Sequence, residues 1–144
     1  VTFLDQQLGV KDEVTFGTPV TVDRFFEFES ESIKENHART EGDPLRPGTY
    51  FKRSDRFTPY FAGASGTIEM AMLSKGFGWW VKHLMGASAT SGPTDSVYTH
   101  AGTCGPLLGD FFTLQIVRPF NPSSTAQAFT YSGCKVPKWG IANS

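Results

Sequence analysis

Cysteine is scarce: Cys104 and Cys134 are the only two in 144 residues. Two cysteines do not make a disulfide-dense scaffold, and two buried free thiols are the simpler reading, with one bridge between them as the alternative. Charge of neither sign is in excess. Thirteen Lys and Arg against 14 Asp and Glu leave a formal net charge of -1, with a pI near 6.3, which argues against a dedicated nucleic-acid binder. Charged residues make up 19% of the chain, below the roughly 25% of typical domains. No apolar run approaches the roughly 20 residues that a membrane-spanning helix needs, so no membrane partner is expected. The opening Val1-Thr2-Phe3-Leu4-Asp5 has neither the basic nor the apolar region of a signal peptide. It has no initiator Met, and the expectation is that a few residues have been removed or left out.

Large apolar side chains are abundant instead. The aromatic fraction is 14%, with 13 Phe, and the hydrophobic fraction is 39%. The length suits one domain, residues 1–144, and a chain of that size buries roughly 68–70% of its unfolded surface. Thr, Phe, Gly and Val are common and long helix formers are few, which favours strands.

Residues 1–19 read as extended and irregular, with a turn signal at Phe16-Gly17-Thr18-Pro19. Val20 to Glu29 alternates, with Val20, Val22, Phe26 and Phe28 on one parity, as a half-buried strand does. Residues 30–56 are polar, carry both charge signs and end in turn residues. So long a loop is uncommon in a compact domain, and an arm reaching a partner is the reading adopted. Strand character returns over 57–73, cleanest from Thr67 to Leu73. The residues Phe77, Trp80, Val81, Leu84 and Met85 form one helical face, so a helix is predicted over 75–86, capped by Ser74, closed by Gly86 and packed on the sheet. Residues 87–110 are rich in Gly, Ser, Thr and Pro, with one short strand at Val97 to His100. Phe111 to Arg118 is a strong strand with Phe112, Leu114 and Ile116 on one face. Ala126 to Tyr131 is the next, and Gly133 to Trp139 starts another.

No catalytic constellation rises above background. His100 with Cys104 has no orienting group. His100, Cys104 and Cys134 lack the paired spacing of a zinc site. The carboxylates Asp23, Glu27, Glu29, Glu31 and Glu35 fit an acidic rim better than acid–base work on a sugar. The basic cluster Arg46, Lys52, Arg53 and Arg56 is interleaved with aromatics, but it fits charge pairing to an acidic neighbour better than base stacking. No cofactor and no metal are expected. What stands out is a mainly β chain with one amphipathic helix, a long charged arm and more aromatics than a monomer needs, which are features of assembly.

An ordered series of motifs then carries a resemblance. Gly9-Val10-Lys11-Asp12-Glu13-Val14-Thr15-Phe16-Gly17-Thr18-Pro19-Val20 is followed by Arg24-Phe25-Phe26-Glu27-Phe28-Glu29-Ser30-Glu31-Ser32. Leu45-Arg46-Pro47-Gly48, Arg53-Ser54-Asp55-Arg56, Gly66-Thr67-Ile68-Glu69-Met70 and Leu73-Ser74-Lys75-Gly76-Phe77-Gly78 come next, and Phe129-Thr130-Tyr131-Ser132-Gly133-Cys134-Lys135-Val136 closes it. The series resembles the major tail tube proteins of long-tailed, non-contractile bacteriophages. That resemblance implies an antiparallel β-sandwich or partial barrel with a flanking helix and a long extended arm loop. It implies a non-enzymatic virion protein, assembled in the bacterial host cytoplasm, whose hexameric rings stack into a tube for DNA passage. Inner strands would join into a continuous barrel, and tape-measure and tail-terminator proteins would be partners. The arm would contact an adjacent subunit or ring through Ile33, His37, Arg39, Leu45, Arg46, Arg53 and Arg56. Glu27, Glu29 and Glu31 would line the lumen or a ring contact, because like charge keeps DNA from sticking. Phe77, Trp80, Val81 and Leu84 would pack the helix. The relatives continue beyond the Gly-Cys-Lys-Val motif, so the chain is expected to be a fragment or a short variant. Two other readings stay open: a tail-completion or adaptor ring, and a carbohydrate-binding β-sandwich using exposed Trp79, Trp80 or Trp139.

Overall fold

The computed structural model describes residues 6–42, 47–48, 57–72, 74–119 and 126–142. Among the described residues strands dominate, with one helix and several antiparallel sheets, none of them closed into a barrel. The chain divides into two compact units, Val1–Phe28 with Met70–Ser144, and Glu29–Glu69.

The first unit is built on a four-stranded antiparallel sheet in the order β10-β9-β1-β2. β1 (Gln7–Asp12) and β9 (Phe112–Arg118) are its central strands. β2 (Arg24–Phe26) and β10 (Gln127–Cys134) are its edges. Period-2 alternation puts Leu8, Val10, Phe112, Leu114 and Ile116 on one face, where all are buried, with Tyr131 beside them. Each fully buried side chain of this kind contributes roughly 1.5–3 kcal/mol.

The helix α1 (Phe77–Met85) covers that face. Trp79 and Trp80 are buried edge-on against Phe112, at 5.1 and 6.0 Å between ring centroids, and Trp80 lies 5.5 Å from Phe26. The helix ends at Gly86, whose φ of 87° is left-handed and whose N–H donates to the Lys82 carbonyl. A side chain there would collide with the Gly105 backbone, 2.5 Å from where Cβ would sit. The chain passes straight into β7 (Gly86–Thr94), which pairs with β8 (Val97–Cys104) as a separate two-stranded ribbon. Asp95 and Ser96 make its tight turn, both at positive φ, as a type I′ hairpin requires. The base of the ribbon meets α1 at Gly102, where an added Cβ would lie 2.6 Å from Val81 and 2.7 Å from Met85.

The second unit has two ribbons of its own. β3 (Ser30–Glu31) pairs with β6 (Ile68–Glu69), and β4 (Lys34–Glu41) pairs with β5 (Phe57–Ser65). A bulge falls between Asn36 and His37, opposite Gly63 at φ 119°.

Several expectations change. Residues 1–19 are not irregular throughout, because β1 is a core strand. Val20 to Glu29 is a strand only over Arg24–Phe26. The arm is not a structureless loop: residues 34–41 form β4, held by the ladder to β5. Of residues 67–72, only Ile68–Glu69 form a strand, and Leu73 lies outside the described residues. Residues 87–110, expected to hold one short strand, instead take in nearly all of the nine-residue β7, which begins at Gly86, and the whole of the eight-residue β8. Ala126–Tyr131 and the start of the next predicted strand are one strand, bulged before Cys134, and residues 135–142 pair with nothing among the described residues. The helix begins after Gly76 at φ 81° and has no side-chain cap, so Ser74 does not cap it.

Candidate assembly surfaces

The first unit's polar interior fixes how its surfaces are presented. Asp12 and Glu13 leave the end of β1 in succession and point opposite ways. Asp12 Oδ1 accepts from Trp79 Nε1 at 2.7 Å and from His83 Nε2 at 2.8 Å, while Oδ2 accepts from Lys82 Nζ at 2.9 Å. Residues 79, 82 and 83 sit at i, i+3 and i+4, one side of α1. Burial pushes the Asp12 carboxyl up, but the hydrogen bonds and charges of Lys82 and His83 outweigh it and hold the carboxyl below its ordinary value. His83 is 3% exposed, its ring tilted 4.2 Å from Trp79 and edge-on to Phe112 at 4.9 Å. Burial lowers its pKa more than the bond to Asp12 restores it, so a neutral imidazole donates its Nε2–H.

Glu13, 7% exposed, gathers three donors. Oε1 accepts from Thr113 Oγ1 and from the Gly133 N–H, both at 2.8 Å, and Oε2 accepts from the Gly17 N–H at 2.9 Å. Its Thr113 partner also accepts from the Val20 N–H. Glu13 thus ties the 13–20 loop to β9 and to the bulged end of β10. Nearby, burial foremost, with the Glu13 charge adding to it, pushes the Cys134 thiol up to about 11, whereas Cys104 is exposed; both are free thiols. Neither carboxylate cluster resembles catalytic machinery. Both close off polar groups that the fold has buried.

The outward surfaces are of a different kind. On the β4–β5 ribbon, Glu35, His37, Arg39 and Glu41 share a face. His37 pairs with Glu35 at 3.1 Å and lies 6.0 Å from Phe61, and Arg39 pairs with Glu41 at 2.9 Å and stands 5.0 Å over the Phe57 ring. Tyr60 and Phe61 remain more than half exposed, as do Val97 and Tyr98 on β8. A two-stranded ribbon is marginal on its own in water, and these two leave large side chains open to solvent at Tyr60, Phe61, Val97 and Tyr98.

Of the expected arm residues, Ile33 is buried within its unit, and His37 and Arg39 are exposed at 68% of their side chains. Leu45, Arg46, Arg53 and Arg56 lie outside the described residues. Glu27 and Glu29 are exposed. Glu31 is half-buried, and its Oε2 accepts from the Ile33 N–H at 3.0 Å. Of the helix residues, Trp80 is buried, and Phe77, Val81 and Leu84 are half-buried. Trp79 and Trp80 are each 6% exposed, so a carbohydrate platform built on them has no face to offer; Trp139 is 50% exposed. Sequence reasoning missed the Asp12 and Glu13 clusters. The Trp-x-x-Lys-His spacing on the helix was the available sign of the first.

A mostly β chain with a helix packed on its sheet and two largely exposed ribbons presents, among the described residues, the surfaces of a structural protein and no catalytic constellation. A profile of the phage tail tube protein family matches residues 4–143, so the chain belongs to that family. Its role is structural, in the phage tail, and not enzymatic. No curated protein and no solved structure matches it at a significant level.

Proposed function

We propose that this chain is the repeating subunit of the tail tube, forming hexameric rings that stack around a lumen through which DNA passes. The observation that carries the reading is the pair of ribbons β4–β5 and β7–β8. One comes from each unit, and each is left two-stranded and largely exposed. Together they give four strands per subunit whose ladders end in open edges among the described residues. Neighbouring subunits would complete them into a continuous barrel, hiding edges that otherwise invite aggregation. The arm, from β4 through the residues that precede β5, would reach the adjacent subunit or ring. Exposed Glu27 and Glu29 are the carboxylates best placed to repel DNA phosphates, and Glu31 is the least available. Tape-measure and terminator proteins would meet the tube at its core and its end.

Negative-stain electron microscopy of the purified chain at high concentration tests this reading. Stacked rings or hollow tubes are the expected result. Rings that never stack would favour an adaptor, and well-folded monomers at every concentration would count against the subunit role.

A further inference from the structure

Strand β2 and the turn that enters α1 enclose an open groove of about 520 Å³. Arg24, Phe25, Phe26 and Glu27 form one wall, and Ser74, Lys75 and Gly76 form the other. All of them belong to the first unit. The volume falls within the roughly 300–1,000 Å³ of ligand pockets. The apolar wall is held from behind. Phe26 lies 6.1 and 5.5 Å from the buried rings of Trp79 and Trp80. Gly76, at φ 81°, comes so close that an added Cβ would sit 3.2 Å from the Phe26 ring. Phe25, next along the wall, is 54% exposed.

The groove also holds cations that the chain does not neutralise. Elsewhere Lys11 pairs with Asp23, Arg39 with Glu41 and Lys82 with Asp12. Arg24 and Lys75, on opposite walls, make no side-chain ion pair or hydrogen bond among the described residues. Glu27 is the one carboxylate on the lining. Two cations against one carboxylate leave the groove positive, in a chain whose formal net charge is -1. Two separated positive charges beside an aromatic surface match discrete carboxylates that flank an apolar side chain. A nucleic-acid strand fits less well, because its phosphates form a continuous line of charge that Glu27 would repel.

We propose that this groove docks an acidic peptide segment of another protein, one that carries two Asp or Glu residues around an aromatic or aliphatic side chain. Its carboxylates would meet Arg24 and Lys75, and the planar guanidinium of Arg24 can hold one of them through two parallel hydrogen bonds. Its apolar side chain would lie on Phe25 and Phe26. Phe26 is already packed on Trp79 and Trp80, so binding has little ordering to do on that wall. The groove lies apart from both ribbons and needs no ring to form, so this proposal stands or falls separately from the subunit role.

Panning a library of random peptides against the dilute full chain tests it. Enriched peptides should carry at least two acidic residues beside an aromatic or aliphatic one, and should be lost on panning against the double variant Arg24→Glu/Lys75→Glu. A synthetic copy of the most enriched peptide should change the tryptophan fluorescence saturably, because Trp79 and Trp80 lie behind Phe26. Its Kd should be on the order of 10–100 μM, and binding should weaken several-fold as salt rises from about 50 to about 300 mM. Arg24→Gln and Lys75→Gln should each weaken it roughly five- to tenfold. Arg24→Lys and Lys75→Arg, which keep the charge, should retain most of the affinity, and all four single variants should melt as the parent does. No enrichment, enriched peptides without acidic residues, or an affinity indifferent to all four variants would overturn the proposal. So would a short oligothymidylate that binds more tightly than the peptide and displaces it, since the groove would then be a nucleic-acid site.

Discussion

Replacing Asp12 with Ala separates two ways in which a carboxylate can hold a helix to a sheet. Its visible ion pair joins Asp12 to Lys82 at 2.9 Å, with the two side chains 44% and 36% exposed. A pair so open to water contributes at most about 1 kcal/mol. The less visible contribution lies in the two donors on Oδ1, Trp79 Nε1 and His83 Nε2, whose residues are 6% and 3% exposed. Deleting the acceptor strands both, at roughly 1–3 kcal/mol each. Water entering where the partly exposed carboxylate stood offsets some of that cost. The expected loss for Asp12→Ala is therefore about 2–4 kcal/mol, from a total stability on the order of 5–15. Lys82→Met should cost no more than about 1 kcal/mol, and Asp12→Asn, which keeps one acceptor oxygen, should fall between. Urea unfolding followed by tryptophan fluorescence reads this directly, because Trp79, Trp80 and Trp139 all lie in the first unit. Dilute protein keeps assembly out of the measurement. Equal losses for Asp12→Ala and Lys82→Met would refute the reasoning, since they would place the stabilisation in the ion pair.

The same cluster predicts a pH dependence. Both Asp12 and His83 have folded-state pKa values below their ordinary ones, so the unfolded chain binds more protons and stability falls as pH falls. Urea midpoints should be level above about pH 7, decline as pH drops below the ordinary histidine value near 6.5, and decline again below the ordinary aspartate value near 4; His83→Gln should remove the first decline. Glu13→Gln presents an amide donor to a site that already holds three donors, and it should cost about 2–3 kcal/mol in the same assay. Cys104 should react with a thiol reagent at pH 8 at once, whereas Cys134, pushed up to about 11, should react only as the unit unfolds; comparable rates in the folded protein would show that burial does not shield it.

The legible part of this fold was the part with an amphipathic pattern. Phe112, Leu114 and Ile116 alternate against Thr113, Gln115 and Val117, and β9 lies where that alternation puts it. The helix was legible because five apolar residues share a face. β1 was hidden because it offers only Leu8 and Val10 for burial. Its opposite face is covered at Gly9 by Val22 and Phe25, so a glycine there packs instead of breaking the strand. β4 read as a loop because Lys34–Glu41 is polar on both faces. Its strand state comes from pairing with β5, and pairing leaves no mark in local composition. Nothing local to the helix marks His83 as a polar anchor, because its partner Asp12 is 71 residues away. Such a buried polar contact is settled by tertiary structure alone.

The anchors of the helix and of the bulged end of β10 converge on one dipeptide, Asp12-Glu13. Successive residues of a strand point to opposite sides, so Asp12 and Glu13 divide the work by parity alone. Asp12 holds α1, and α1 turns at Gly86 into the β7–β8 ribbon without an intervening loop. Glu13 holds the Gly133 N–H, at the point where β10 departs from regular pairing with β9. The β7–β8 ribbon and the bulged end of β10 are thus both anchored at the end of the central strand β1. The proposed tube interface, repeated at every subunit, would need its strands presented at a fixed angle. Glu13, buried and holding three donors, supplies that fixity better than apolar contact, because a donor left unpaired by a small displacement carries a large cost. That is the physical reason for burying Glu13 in a chain with few buried charges to spare.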